Sequence, residues 1–152
     1  MNKRRIDSNI SVAAEALKQT GIADAAGRIR KGYRGQISTF GAAIKNESLK
    51  SAIAYFSNSE NGSDFKRTAL MKAICYVLKV DPKKEDAGAY SDTDLYMYVD
   101  KEPIASLRSI QDKIIDAAIA LKLAMNLFVL YDDNVSDSVG QGTDQQEEND
   151  GE

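Results

Sequence analysis

The chain has 152 residues, 43% of them hydrophobic, with no histidine, no tryptophan and one cysteine. That size fits one domain with a real core, and the composition excludes histidine general bases, His-activated nucleophiles, His-bound metals and an internal disulfide framework. The net charge of −3 conceals a gradient: residues 1–84 hold 16 Lys/Arg against 7 Asp/Glu, residues 85–131 hold 4 against 8, and residues 132–152 hold none against 8.

Two prolines and few β-turn signals predict an all-α domain over residues 1–131, a bundle of five to six helices without strand pairing. An opening helix is predicted over Ile10 to Gln19, with Val12, Ala13, Ala16 and Leu17 on one side and Gly21 ending it. A second runs from Arg28 to Asn46, and a third starts after an N-cap at Ser48 and carries Leu49, Ile53 and Phe56. The polar run SNSENGSD (57–64) reads as a turn, and Ser63 or Asp64 as the cap of a central helix bearing Phe65, Leu70, Ile74, Val77 and Leu78. After a polar stretch with Pro82 and Gly88, a short helix includes Leu95 to Tyr98. Pro103 opens the last helix, expected to run from Ile104 to Tyr131, roughly 40 Å at 1.5 Å per residue. The acidic segment 132–152 has almost no apolar content and is read as a disordered tail. It either solvates the protein or competes for a basic face. No apolar run of signal-peptide length follows the basic opening, and the single thiol suits a reducing compartment, so a cytoplasmic location is expected.

The second helix is the informative one. At about 100° per residue from Ile29, the side chains of Tyr33, Ile37, Phe40 and Ile44 join Ile29 in an apolar arc less than about 90° wide. Arg30, Arg34, Lys45 and Lys31 fall at about 100°, 140°, 160° and 200°, and no acidic residue interrupts them. Like charges four residues apart, as at Arg30 and Arg34, repel. An arrangement that costs stability points to an external anion. Gly32, Gly35 and Gly41 oppose the helix by about 1 kcal/mol each relative to alanine. Gly35 and Gly41 admit a close neighbouring backbone, or Gly32 marks a break, and the sequence does not choose.

Other chemistry is thinly represented. Cys75 lies in an apolar run (AICYVL) and reads as a buried, inert thiol. Asp92 with Asp94, and Asp132 with Asp133, are the carboxylate pairs a Mg²⁺-dependent nuclease would need. The competing readings are a helix N-cap for the first pair and the start of the acidic tail for the second. Tyr90, Tyr96 and Tyr98 are candidate base-stacking residues, or packed tyrosines with surface hydroxyls.

Tyr33-Arg34, then Phe40-Gly41 and Ile44, then Leu49 followed by Ala52-Ile53-Ala54-Tyr55-Phe56, resembles the small subunit of type III-B CRISPR effector complexes, the Cmr complex. Phe65 to Leu78 is similar to that family's next helix, and Ala118 to Met125, with Lys122 in an apolar surround, to its closing helix. The resemblance covers residues 10–131 and is most specific in 29–56, with Ser48 standing where the family has glycine. It implies an all-helical, non-catalytic subunit without a cofactor. Its partners would be guide and target RNA, the backbone and large subunits, and further copies of itself along the filament. Arg34 is the matching RNA-phosphate position. Arg30, Lys31 and Lys45 join it by helical geometry, and Lys50, Lys66 and Arg67 by flanking the next helices. Their task would be phosphate neutralisation without base readout. The alternative is a helical adaptor that binds protein and leaves RNA alone.

Overall fold

The computed structural model describes residues 1–58 and 65–132. Those residues form six α-helices and one short parallel strand pair. The predicted cap at Ser63 or Asp64, Asp133 and the acidic tail beyond it lie outside the described residues.

Helix α1 spans Lys3–Gln19, a full two turns earlier than apolar periodicity indicates. The signal was a cap: the Asn2 side chain accepts the Arg5 amide at 3.0 Å. Ile6 is buried, and Gly21, at φ +82°, turns the chain out of the helix as expected.

The largest departure concerns Arg28. Arg28–Arg30 is strand β1, and helix α2 covers only Gly32–Asn46. Ile29 is buried as predicted, but from a strand. Its partner is β2, Val129–Tyr131, in parallel register with Ile29 opposite Leu130 and Arg30 opposite Tyr131. The expectation of no strand pairing therefore fails, and so does the long last helix. Helix α6 ends at Ala124, giving 21 residues or about 32 Å. A 3₁₀ turn at Met125–Leu127 then swings the chain into β2. Val129, Leu130 and Tyr131 are good strand formers, and β1 supplies the hydrogen-bonding edge they need.

The remaining elements follow the pattern closely. Helix α3 is Leu49–Phe56, and the Ser48 hydroxyl caps it by accepting the Ser51 amide at 3.1 Å. Helix α4 is Arg67–Leu78 with Lys66 at its N-cap, so Phe65, expected on that helix, stands before it; α5 is Asp94–Asp100, and Pro103 sits immediately before α6. Tyr33, Ile37, Phe40 and Ile44 are all buried, so the apolar seam of α2 is core. Helix α6 packs against α1, α2 and α4 and so centres the bundle. One carboxylate is sealed inside it: Asp116, 0% exposed, accepts from Arg5 Nη1 at 2.7 Å and from the Asn2 amide.

Candidate nucleic-acid interface

Because α2 begins at Gly32, the predicted basic stripe does not lie on one helix. The strand pair redistributes it. Arg30 leaves β1 and lays its guanidinium over the Phe65 ring, 4.3 Å from the centroid. Lys31 is exposed, and its amide donates to the Tyr131 carbonyl at 2.7 Å, tying the start of α2 to the end of β2. Arg34 is half-buried in the first turn of α2, and its Nε is sealed from solvent with no hydrogen-bond partner among the described residues. A donor in that state costs about 1–3 kcal/mol.

The start of α4 meets the start of α2. The Lys66 amide donates to Tyr33 Oη at 3.1 Å, and Arg67 Nε donates to Gln36 Oε1 at 2.8 Å. Phe65 makes an edge contact with Tyr33, ring centroids 5.1 Å apart, and its ring fills the space beside Gly32 that a Cβ would need. That close approach is what Gly32 permits. Gly35 and Gly41, by contrast, face open space, so close backbone approach does not explain them.

Both helix starts carry cations. Neither Lys31 nor Lys66, the residues flanking α2 and α4, makes a side-chain capping bond, and neither first turn holds an acidic residue. The positive pole of a helix favours anions, so Lys31, Arg34, Lys66 and Arg67 each sit where a cation is disfavoured, by about 0.3–1 kcal/mol at exposed positions. Among the described residues, none of Lys31, Arg34 or Lys66 has a carboxylate within ion-pair distance. Cations elsewhere do find one: Arg28 pairs with Asp24, Lys72 with Asp92 and Lys84 with Asp94.

Two predicted site residues are not part of this corner. Lys50 pairs with Asp100 at 3.2 Å, because α3 packs on α5. Lys45 lies in the last turn of α2, about 16 Å along the axis from Arg34. There it borders a groove of about 370 Å³ between α2 and α6, floored by Ile37, Ile115 and Ile119. Lys122 closes the same groove by donating to Ser38 Oγ at 2.7 Å.

The structure also places the first carboxylate pair, the thiol and the tyrosines. Asp92 pairs with Lys72, while Asp94 accepts from the amide and hydroxyl of Ser91 and from Lys84. Thr93, the residue before α5, makes no side-chain cap. Desolvation pushes the Asp94 carboxyl up, but the Ser91 bonds and the Lys84 charge outweigh it and hold it below its ordinary value. Burial pushes the Cys75 thiol up to about 12, as an inert core cysteine requires. Tyr90 is buried, with its hydroxyl donating to the Asp81 carbonyl, and Tyr96 and Tyr98 pack half-buried against the core. Tyr90 and Tyr98 line a groove of about 300 Å³ with Lys84 and Lys101. The exposed ring is Tyr55, which its apolar neighbours in AIAYF disguised as core.

No protein-family model matches the chain, and neither does any curated protein or solved structure. No described helix is long and apolar enough to cross a membrane.

Proposed function

We propose that this chain is a non-catalytic, RNA-contacting small subunit of a cytoplasmic type III-B CRISPR ribonucleoprotein used in antiviral defence. The observation that carries the RNA contact is the corner where α2 and α4 begin. There Lys31, Arg34 and Lys66 stand at two helix starts whose N-cap side chains make no capping bond, without an ion-pair partner among the described residues. Such a corner suits phosphates, which bring negative charge and acceptors to helix N-termini. Arg30 and Arg67, already stacked on aromatic rings, frame it. The order of residues 29–56 supplies the link to CRISPR complexes. In that setting base pairing provides sequence specificity, so charge neutralisation is all the subunit needs to contribute to RNA, while its apolar surfaces pack on backbone subunits.

The test is the salt dependence of single-stranded RNA binding by the full chain. Three neutralised phosphates, one each for Lys31, Arg34 and Lys66, give a slope of log K against log salt of about −2, from roughly −0.7 each. Reversing Lys31, Arg34 and Lys66 to glutamate should flatten that slope by about 2. An unchanged slope rejects this face.

A protein-binding adaptor is the second reading, and the α2/α6 groove favours it, with Leu123 and Leu127 exposed near the end of α6. Purification from the native host separates the two. A discrete-length RNA with large partner subunits supports the first, and a protein partner without RNA supports the adaptor.

A further inference from the structure

Tyr55 is the one aromatic side chain among the described residues that stands exposed, at 54%. Its neighbours on α3 explain why it cannot turn inward: Ala52, Ile53 and Phe56 already occupy the core-facing side. Nor does the ring hang loose. It meets Phe56 edge-on at 5.8 Å between centroids, and the Arg67 guanidinium lies 5.1 Å from its centre. Arg67 is itself fixed by its bond to Gln36 on α2. The Arg67 guanidinium is thus stacked over the tyrosine ring at the rim of the cationic corner, next to Lys66.

Planar groups held in this way are what unpaired bases stack on, whereas a base inside a duplex has both faces covered by its neighbours. From this we infer that Tyr55 and Arg67 form a stacking platform for an unpaired nucleobase, so that the surface prefers single-stranded RNA to a closed duplex. The inference rests on the RNA-contacting reading and narrows it. Lys31, Arg34 and Lys66 would hold the phosphates of the strand while one base lies against Tyr55. Because every base has a π-face, the platform would be tolerant of sequence.

The experiment uses the full chain with a short uridine-rich RNA bearing one 2-aminopurine, free or in a blunt duplex. The proteins are wild type, Tyr55→Phe, Tyr55→Leu and the Lys31→Glu/Arg34→Glu/Lys66→Glu triple variant. Wild type and Tyr55→Phe should bind the single strand more tightly than the duplex and quench the 2-aminopurine on binding. Tyr55→Leu should weaken single-strand binding about tenfold, within the range of one lost base stack, abolish the quench and leave duplex binding unchanged. The platform is overturned if Tyr55→Leu binds and quenches like wild type, or loses single strand and duplex equally. Binding lost in the triple variant alone rejects the platform and keeps the cationic corner. A wild-type chain that binds neither RNA at low salt rejects both. Since Tyr55 is exposed, unchanged thermal midpoints of its two variants will separate lost stacking from lost fold.

Discussion

The Phe65 ring occupies the place beside Gly32 where any other residue would carry its Cβ. Through that contact the start of α4 seats against the start of α2, and the same ring carries Arg30 on its face and Tyr33 at its edge. Gly32→Ala should therefore destabilise the protein by about 1–3 kcal/mol, the usual range for overpacking. In a Phe65→Ala background the same change should be nearly neutral. A double-mutant cycle in urea measures the coupling, and additive effects would show that the ring is not what the glycine accommodates.

Asp116 joins the beginning of the chain to the middle of α6. Its carboxylate is fully buried, while the Arg5 side chain retains 33% of its exposure. Arg5→Ala should cost about 3 kcal/mol, because it leaves a buried carboxylate with only the Asn2 amide. Asp116→Ala should cost less, because the freed Arg5 guanidinium already reaches water. Replacing Asp116 and Arg5 together with apolar residues should recover much of either loss in denaturant titrations.

Stability should fall in acid partly through Asp94. Its folded value lies below the ordinary 3.8, so ionised Asp94 stabilises the fold above that pH. The contribution is lost as pH drops below 3.8 through the depressed folded value. Asp94→Asn should thus be less stable than wild type at neutral pH, and the two should converge in strong acid. Thermal midpoints between neutral pH and pH ~2 test this, and a constant gap across the range would refute it.

The Cys75 thiol should not react with a disulfide reagent at mildly alkaline pH while the protein is folded, given a value pushed up to about 12 and complete burial. Labelling should rise with denaturant in step with unfolding. Fast labelling of the native protein would mean that α4 opens locally.

Lys79 ends α4 in the left-handed conformation, at φ +57°. Glycine adopts that conformation without the Cβ penalty, so Lys79→Gly should stabilise the fold by roughly 1 kcal/mol. A lower thermal midpoint for that variant would contradict the assignment.

Much of the helical framework was legible in the sequence because helices report themselves locally. The seam Tyr33, Ile37, Phe40, Ile44 needs only the 3.6-residue period to be recognised. Ser48 as a cap, Gly21 as a terminator and Pro103 as an opener act through their own backbone and neighbours. The early start of α1 was equally local, but its signal was Asn2 and not an apolar residue. What escaped was the pairing of Arg28–Arg30 with Val129–Tyr131, two three-residue strands separated by about a hundred positions. Such a pairing has no local signature. Each half alone reads as an extension of its adjoining helix.

Sequence by itself determined that this is a helical protein with a basic first half, one buried thiol and no histidine chemistry. It also supplied the candidate cations, because charge belongs to each residue alone. Only the tertiary structure decided which of them lie together. Packing of α3 on α5 gave Lys50 a partner in Asp100, and helix length carried Lys45 to the far groove. The meeting of β1, α2 and α4 gathered Arg30, Lys31, Arg34, Lys66 and Arg67 at one corner and left Tyr55 standing beside it. Whether a charge is neutralised or left for a ligand depends on what the rest of the chain brings within a few ångströms, and a one-dimensional pattern does not contain that distance.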